Sequence, residues 1–122
     1  MGTIRNRMVI VHGYSENAIQ KLRNDAVVEF QKVIGYSYNV DAKMVSPIMP
    51  SYINTEYTFV INGECSKLGW PDSDVFQKVR EEWCKQHAHD YGVSHLILFD
   101  FGEDFEPFIT DYTTMEDSND KT

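Results

Sequence analysis

A tyrosine and a glutamate near the middle of the chain are, by type and spacing, the residues best suited to chemistry. Tyr52 and Glu56 lie in a short turn that leads directly into the apolar segment Tyr57 to Ile61. A phenol can orient a substrate or transfer a proton, and a carboxylate can act as a base or hold a cationic group. If the protein is an enzyme, we therefore expect Tyr52 and Glu56 to be its catalytic residues. In the alternative interpretation, Tyr52 covers the rim of the core and Glu56 faces water.

The acidic end of the chain is a second candidate site. Residues 100–122 include eight acidic residues and one lysine, in a chain whose net charge is −8. Four of these acids are close together in sequence and predict a partner-binding surface: Asp100, Glu103, Asp104 and Glu106. Tyr57 is added to this predicted surface because tyrosine is favoured at protein interfaces. The same acids could instead bind a divalent cation or form a solvated turn.

The histidines and cysteines do not predict a metal site. Cys84 and His87 share one face of a predicted helix, whereas His89 lies roughly 160° around the axis from His87. One ion cannot collect all three side chains from a regular helix. His12 and His95 follow or lie within predicted buried strands, where we expect hydrogen-bonded core histidines. The sequence contains no glycine-rich phosphate loop and no Gly-x-Ser-x-Gly motif, so we predict no cofactor.

Composition predicts one domain without a membrane span. The 122 residues are 42% hydrophobic and 13% aromatic, which is typical of a globular domain. We expect a single domain over residues 1–113 and a disordered acidic tail over residues 114–122. No apolar run approaches the roughly 20 residues that cross a bilayer, and residues 1–7 lack the apolar stretch of a secretory signal. Two cysteines form no disulfide framework, which favours a cytoplasmic location.

The first half of the chain predicts a strand, a helix and a second strand. The apolar run Met8 to Val11 is typical of a strand buried on both faces. Apolar residues at three- and four-residue steps from Ile19 to Val33 predict a helix, with Ser15 or Asn17 as its N-cap. Alternating residues from Tyr36 to Met44 then predict a strand with one face in water.

The second half predicts a third strand, another helix and two more strands. The apolar segment after the candidate turn is the third strand. Asp72 or Ser73 can cap the second helix, whose predicted apolar face consists of Val75, Phe76, Val79 and Trp83. Val93 to Phe101 predicts a buried strand. The last strand, Phe105 to Tyr112, contains Pro107, and a proline within a strand places it at the edge of a sheet.

Together these elements predict an α+β domain. Two helices on one face of an antiparallel sheet give the ferredoxin-like βαββαβ sandwich, here with an extra C-terminal edge strand. The other face of the sheet is left open. Water, a partner, or further copies of the chain in a dimer or trimer are the possible occupants of that face.

The element order and two residues resemble a known enzyme family. Met8-Val9-Ile10-Val11, followed by a Ser-Glu-Asn turn, resembles the opening strand of the small phage-encoded S-adenosylmethionine lyases. Tyr52 and the segment Glu56-Tyr57-Thr58-Phe59-Val60-Ile61 are similar to a loop tyrosine and a strand-leading glutamate of that family. The resemblance covers residues 8–112, with a shorter loop between the two residues here. It implies a ferredoxin-like fold, a trimer with sites between subunits, and action on S-adenosylmethionine.

Two functions are consistent with the sequence. The first is a small non-enzymatic binding protein, such as a phage-type inhibitor of a host defence or nucleic-acid-handling protein, whose acids meet a basic partner. The second is a lyase or hydrolase acting on a small cationic substrate such as S-adenosylmethionine. Glu56 would attract the cationic centre, and Tyr52 would orient or protonate the substrate. The shortage of clustered bases argues against direct binding to nucleic acid in either case.

Overall fold

Six strands and two α-helices make up most of the chain that the structure describes. The structure is a computed structural model, and it describes residues 4–34, 39–67, 71–103 and 106–115. In chain order the elements are β1 (Ile4–Gly13), α1 (Glu16–Ile34), β2 (Met49–Pro50), β3 (Tyr57–Ile61), β4 (Ser66–Lys67), α2 (Pro71–His87), β5 (Val93–Gly102) and β6 (Phe108–Asp111). A short 3-10 helix, Tyr112–Thr114, follows β6. No helix in these ranges is long and apolar enough to cross a membrane.

The strands form one antiparallel sheet with β1 at its centre. The strand order is β2-β3-β1-β5-β6, and the two-residue β4 pairs with the first residues of β1. Without β6, this order is that of the ferredoxin-like fold. The predicted α+β class, the ferredoxin-like arrangement and the extra C-terminal edge strand are therefore confirmed.

The hydrophobic core lies between the two helices and one face of the sheet. Alternate residues of the three central strands are almost fully buried there: Val9, Val11, Phe59, Ile61, Leu96 and Leu98. The helices contribute apolar residues at helical spacing: Ile19, Leu22, Ala26 and Phe30 from α1, and Phe76, Trp83 and Cys84 from α2. Burying one large apolar side chain stabilises a fold by about 1.5–3 kcal/mol. This layer is the main source of stability.

The opposite face of the sheet carries apolar residues that remain partly or largely exposed. We call it the uncovered face and define it by Met8, Ile10, Val60, Ile97, Phe99, Phe101 and Ile109. The register places these side chains together, because Ile10 pairs with both Val60 and Ile97, and Phe99 pairs with Ile109. The prediction of a short strand buried on both faces was wrong. β1 has ten residues, and only one of its faces is fully buried.

The helix starts agree with the sequence patterns only in part. Ser15 caps α1 as predicted, since its hydroxyl accepts a hydrogen bond from the Ala18 N–H at 3.3 Å. The second helix begins at Pro71, so Asp72 and Ser73 lie inside its first turn rather than at its N-cap. Proline is favoured at the first helical position because its missing N–H would be unpaired there.

The apolar face predicted for the second helix is correct except at one position. Val75 points towards solvent, whereas Phe76 and Trp83 are buried. The buried position that completes this stripe belongs to a charged residue, Arg80, which is fully buried. The sequence pattern did not indicate it because an arginine at a core position is rare without an ionic partner.

The strand predicted from Tyr36 to Met44 is wrong for the residues that the structure describes. Residues 39–44 form a loop in which Ala42 has a left-handed backbone, with φ 69°. The Val40 carbonyl accepts hydrogen bonds from both the Met44 and the Val45 N–H groups. This tight turn directs Val40 and Val45 into the core, so the two-residue alternation does not reflect an extended strand. Tyr36 and Tyr38 lie outside the described residues.

The strand that actually precedes β3 is β2, which contains Pro50 and lies at the edge of the sheet. At the other edge, β6 begins directly after Pro107 rather than including it. Both positions agree with the rule that proline is tolerated at sheet edges and strand starts. Residues 116–122 of the predicted disordered tail, and the acidic residue Asp104, lie outside the described residues.

Candidate functional site on the uncovered face

The structure does not bring Tyr52 and Glu56 together. The Tyr52 side chain is 100% exposed, so it takes part in no pocket with the carboxylate. Glu56 turns instead towards β1, where its Oε1 lies 3.1 Å from Nε2 of His12. The two residues predicted to be catalytic are thus near each other in sequence but do not share a pocket.

His12 is the centre of a three-residue cluster. In the antiparallel register, His12 of β1 lies opposite Thr58 of β3, and the His12 Nδ1 is 2.6 Å from the Thr58 Oγ1. Glu56 precedes Thr58 by two residues, so both side chains lie on the same side of β3 and reach the same imidazole. We call Glu56, His12 and Thr58 the His12 cluster. It lies at one end of the uncovered face.

A row of four side chains runs across the sheet through this cluster. Met49 of β2 is opposite Thr58, Thr58 is opposite His12, and His12 is opposite His95 of β5. The two imidazole rings are 6.2 Å apart between centroids and are tilted by 34°. The prediction that both histidines are core residues was wrong, because His95 is exposed and His12 is partly exposed.

Pattern reasoning missed His12, Thr58 and His95 as members of a common site. The alternation of Glu56, Thr58 and Val60 indicated one face of a strand, but it gave no information on the partner strand. Only the pairing of β1 with β3 shows that residues 44 and 46 positions apart are in contact. Cross-strand register of this kind is a tertiary property.

Tyr57 lies on the helix side of the sheet, not on the uncovered face. Its side chain packs against the core, and its phenol lies near the Glu16 carboxylate at the start of α1. Partial burial, followed by the nearby Glu16 charge, raises the pKa of Tyr57. Tyr57 therefore joins β3 to α1, and its phenol is engaged within the protein.

The acids predicted to bind a partner occupy different environments. The Asp100 side chain is buried, with 2% of the residue exposed, and it forms a two-point ion pair with Arg5. Glu103 and Glu106 are exposed, and Glu103 Oε1 accepts a hydrogen bond from the Ile4 N–H at 3.1 Å. Among the predicted acids that the structure describes, only Glu103 and Glu106 therefore belong to an exposed acidic surface.

A buried ionic network lies next to the Arg5–Asp100 pair. Glu64 accepts a hydrogen bond from Arg80 at 2.5 Å and lies 3.8 Å from Arg7. The Ser73 hydroxyl accepts from Arg7 at 3.1 Å and donates to Glu64 at 3.3 Å. Burial, together with the charges of Arg80 and Arg5, lowers the pKa of Arg7. The network joins β1 to the start of α2, which is a structural role.

A histidine between two carboxylates joins α1 to the end of α2. The His87 Nε2 lies 2.9 Å from Asp25, and its Nδ1 lies 2.6 Å from Asp90. The Trp83 indole N–H donates to the same Asp25 oxygen at 3.0 Å. Asp25, His87 and Asp90 line a groove of about 880 Å3. The bonds of Trp83 and His87 to Asp25 join α2 to α1, in addition to the apolar packing of both helices in the core.

The described residues hold no cluster of side chains suited to a metal ion. No three histidine, cysteine or acidic side chains converge there in a way that could hold an ion. Cys84 is buried, and burial raises the pKa of its thiol to about 12. A thiol in that environment is a poor metal ligand because the ligand form is the thiolate.

Among the described residues, we select the uncovered face and the His12 cluster as candidate sites, because solvent reaches both. The face offers apolar contact area, and the cluster offers a hydroxyl hydrogen-bonded to an imidazole that also contacts a carboxylate. Comparison with known proteins does not favour either of these two features. No family model, curated protein or solved structure matches this chain.

Proposed function

We propose that this chain is a small binding protein that docks the uncovered face of its sheet onto a partner protein. The observation that carries the proposal is the apolar character of that face. Seven apolar side chains on four neighbouring strands point away from the helices, and Ile109 is 61% exposed. Exposed apolar patches of this kind mark interaction sites more often than chance.

The size of the face supports this interpretation. Strands of 10, 5, 10 and 4 residues form it. With a rise of about 3.3 Å per residue and a spacing of about 4.8 Å, these strands span roughly 450 Å2, which is the whole face with its polar positions and therefore an upper limit for the apolar patch. The largest apolar patches on soluble monomers are about 300–600 Å2, and they are often functional. A partner contacting the surrounding rim as well would approach the roughly 800 Å2 per side of a standard interface.

Charge indicates the chemistry of the partner. On β1, β3, β5 and β6, no lysine or arginine occupies a position that faces away from the helices. Glu56 lies at one end of the face, and Glu103 lies at the other, near Ile4. The complementary surface has an apolar centre and a basic rim. Proteins that handle nucleic acids commonly carry such basic surfaces, so we propose a partner of that class.

A capture experiment with matched variants tests the proposal. The tagged chain is incubated with lysate of its source organism, and bound proteins are identified by mass spectrometry. Ile109→Glu places a charge on the uncovered face, whereas Val28→Glu places the same charge at an exposed valine on α1. We expect one basic protein to be retained by the wild type and by Val28→Glu, and lost with Ile109→Glu.

Affinity and salt dependence then identify the interface. With the purified partner, Ile109→Glu should raise the Kd at least about tenfold, since a charge at the core of an interface is costly. Glu103→Gln combined with Glu106→Gln should slow association at low salt and have little effect at high salt. Equal affinity of the Ile109→Glu variant and the wild type would refute docking through this face.

A further inference from the structure

The donors and acceptors of the His12 cluster are in the same order as those around an activated hydroxyl group in an enzyme. A carboxylate can only accept hydrogen bonds, so the contact between Glu56 and His12 Nε2 requires a proton on that nitrogen. In the neutral imidazole, Nδ1 is then the acceptor. In that neutral form the Thr58 hydroxyl donates to Nδ1 across 2.6 Å, whereas an imidazolium would donate to the Thr58 oxygen. This assignment follows from the partners of the two ring nitrogens.

The same order of groups, hydroxyl to imidazole to carboxylate, activates nucleophiles in unrelated enzymes. The imidazole accepts the hydroxyl proton as the oxygen attacks, and the carboxylate stabilises the imidazolium that forms. In this chain His12 and Thr58 come from neighbouring strands of the sheet, and Glu56 is the loop residue directly before β3. Strands hold side chains more precisely than loops do, so the hydroxyl and the imidazole are the better positioned pair. Tyr52 has no part in this arrangement.

The surroundings leave the hydroxyl open to a ligand. Thr58, His12 and Glu56 are all partly exposed, and they face the side of the sheet that carries no helix. Exposed Met49 lies on one side of Thr58 in the cross-strand row, and Val60 follows on the same face of β3. Apolar side chains at these positions are suited to an acyl group, and a long carbon chain can lie along the uncovered face.

We propose that the His12 cluster is an acyl-transfer site in which Thr58 is the nucleophile and His12 the general base. The Thr58 oxygen attacks the carbonyl carbon of an ester while the hydroxyl proton passes to His12 Nδ1. The bond between that carbon and the leaving oxygen breaks, and the leaving alcohol takes the proton from His12. An acyl group then remains on Thr58. Water then attacks the acyl carbon while its proton passes to His12 Nδ1. The bond between that carbon and the Thr58 oxygen breaks, the Thr58 oxygen takes the proton from His12, and the carboxylic acid leaves.

Acetylation by p-nitrophenyl acetate tests the nucleophile. The purified wild-type chain should release about one p-nitrophenol per chain in an initial burst, and peptide mass spectrometry should place the acetyl group on Thr58. Thr58→Ser should keep the burst, whereas Thr58→Val should abolish it. Thr110→Val removes a hydroxyl from β6 and is the matched control, for which we expect wild-type behaviour. An acetyl group found only on lysine or histidine, or an unchanged burst in Thr58→Val, would overturn the proposal.

Variants of His12 and Glu56 test the general base and the residue that positions it. His12→Gln should lower the rate of Thr58 acetylation about 100-fold, within the range for loss of a general base. Glu56→Gln should lower the rate of Thr58 acetylation, and Glu56→Asp, which keeps a carboxylate, should restore part of it. Equal rates in Glu56→Gln and Glu56→Asp would mean that the carboxylate charge plays no part in the reaction. Circular dichroism confirms that each variant is folded.

The acyl-transfer site and the proposed docking surface share the uncovered face, but the two proposals are tested separately. The acetylation assay uses the chain alone, and the capture experiment measures a partner on the apolar residues of the face. A protein that binds its partner but never acetylates Thr58 refutes only the acyl-transfer site. The reverse result refutes only the docking proposal.

Discussion

Arg5 and Asp100 form a two-point ion pair between the two longest strands of the sheet. The Arg5 Nε donates to Asp100 Oδ1 at 2.8 Å, and a second guanidinium nitrogen contacts Oδ2. The hydrogen bond to Asp100 is the main reason that the pKa of Arg5 is raised. An acid that belongs to an acidic run in the sequence is therefore an internal structural group.

Removing the Asp100 charge should destabilise the fold. Asp100→Asn removes the carboxylate that accepts two hydrogen bonds from Arg5, and hydrogen bonds to charged groups contribute about 1.5–3 kcal/mol. We expect the free energy of unfolding to fall by about 2 kcal/mol in urea titrations. Glu106→Gln, at an exposed acid of the same run, should change it by less than about 0.5 kcal/mol. Equal effects of the two substitutions would contradict the assigned ion pair.

The two faces of β5 should respond differently to truncation. Leu98 is buried against the helices, so Leu98→Ala should cost about 2–5 kcal/mol. Its neighbour Ile97 lies on the uncovered face, and Ile97→Ala should cost about 1 kcal/mol because the side chain is already partly in water. Urea unfolding of both variants measures the difference. A cost for Ile97→Ala as large as that for Leu98→Ala would mean that the second face is covered in the isolated chain.

Gly92 should not tolerate a side chain. Its φ is +89°, and a Cβ atom at this position would lie 2.6 Å from the Ala18 Cβ. Backbone strain and this contact together predict that Gly92→Ala lowers the free energy of unfolding by about 1–3 kcal/mol. Gly102→Ala, in β5, is the control and should have a smaller effect, since Gly102 does not have a positive φ. A thermal-unfolding midpoint for Gly92→Ala equal to that of wild type would argue against this turn.

The two cysteines should differ in reactivity. Burial raises the pKa of Cys84 to about 12, so at pH 8 only ~10⁻⁴ of this thiol is ionised. Cys65 is exposed. We expect Ellman's reagent to modify one thiol per native chain at pH 8 and two in concentrated urea. Cys65→Ser should remove the native reaction, and a fast reaction remaining in that variant would show that Cys84 is accessible.

The fold was predictable where one periodicity extends over a whole element. α1 and β3 follow directly from their apolar spacing. The loop after α1 was not predictable, because the left-handed Ala42 reverses the chain and places Val40 and Val45 in the core without an extended strand. Such a turn depends on contacts with β3 rather than on local preference.

The candidate site was predictable only at Glu56. Its carboxylate was identified from sequence, but its partner His12 lies on another strand, and the register of β1 with β3 decides their contact. Asp100 could have been recognised as internal, because it continues the buried alternation of Leu96 and Leu98 along β5. Because Asp100 stands in a run of acids, it was instead predicted to lie on a partner-binding surface.

The short strands at the two edges of the sheet limit how this protein can pair with strands of other molecules. β2 has two residues and includes Pro50, while β6 has four residues between Pro107 and the 3-10 helix. A strand from another molecule would gain few ladder hydrogen bonds at either edge, and proline beside an edge limits such pairing further. Growth into an extended intermolecular sheet is therefore disfavoured, even though Phe108 and Ile109 are exposed at the β6 edge. The protein can keep a broad apolar face available for recognition and still resist aggregation through its edge strands.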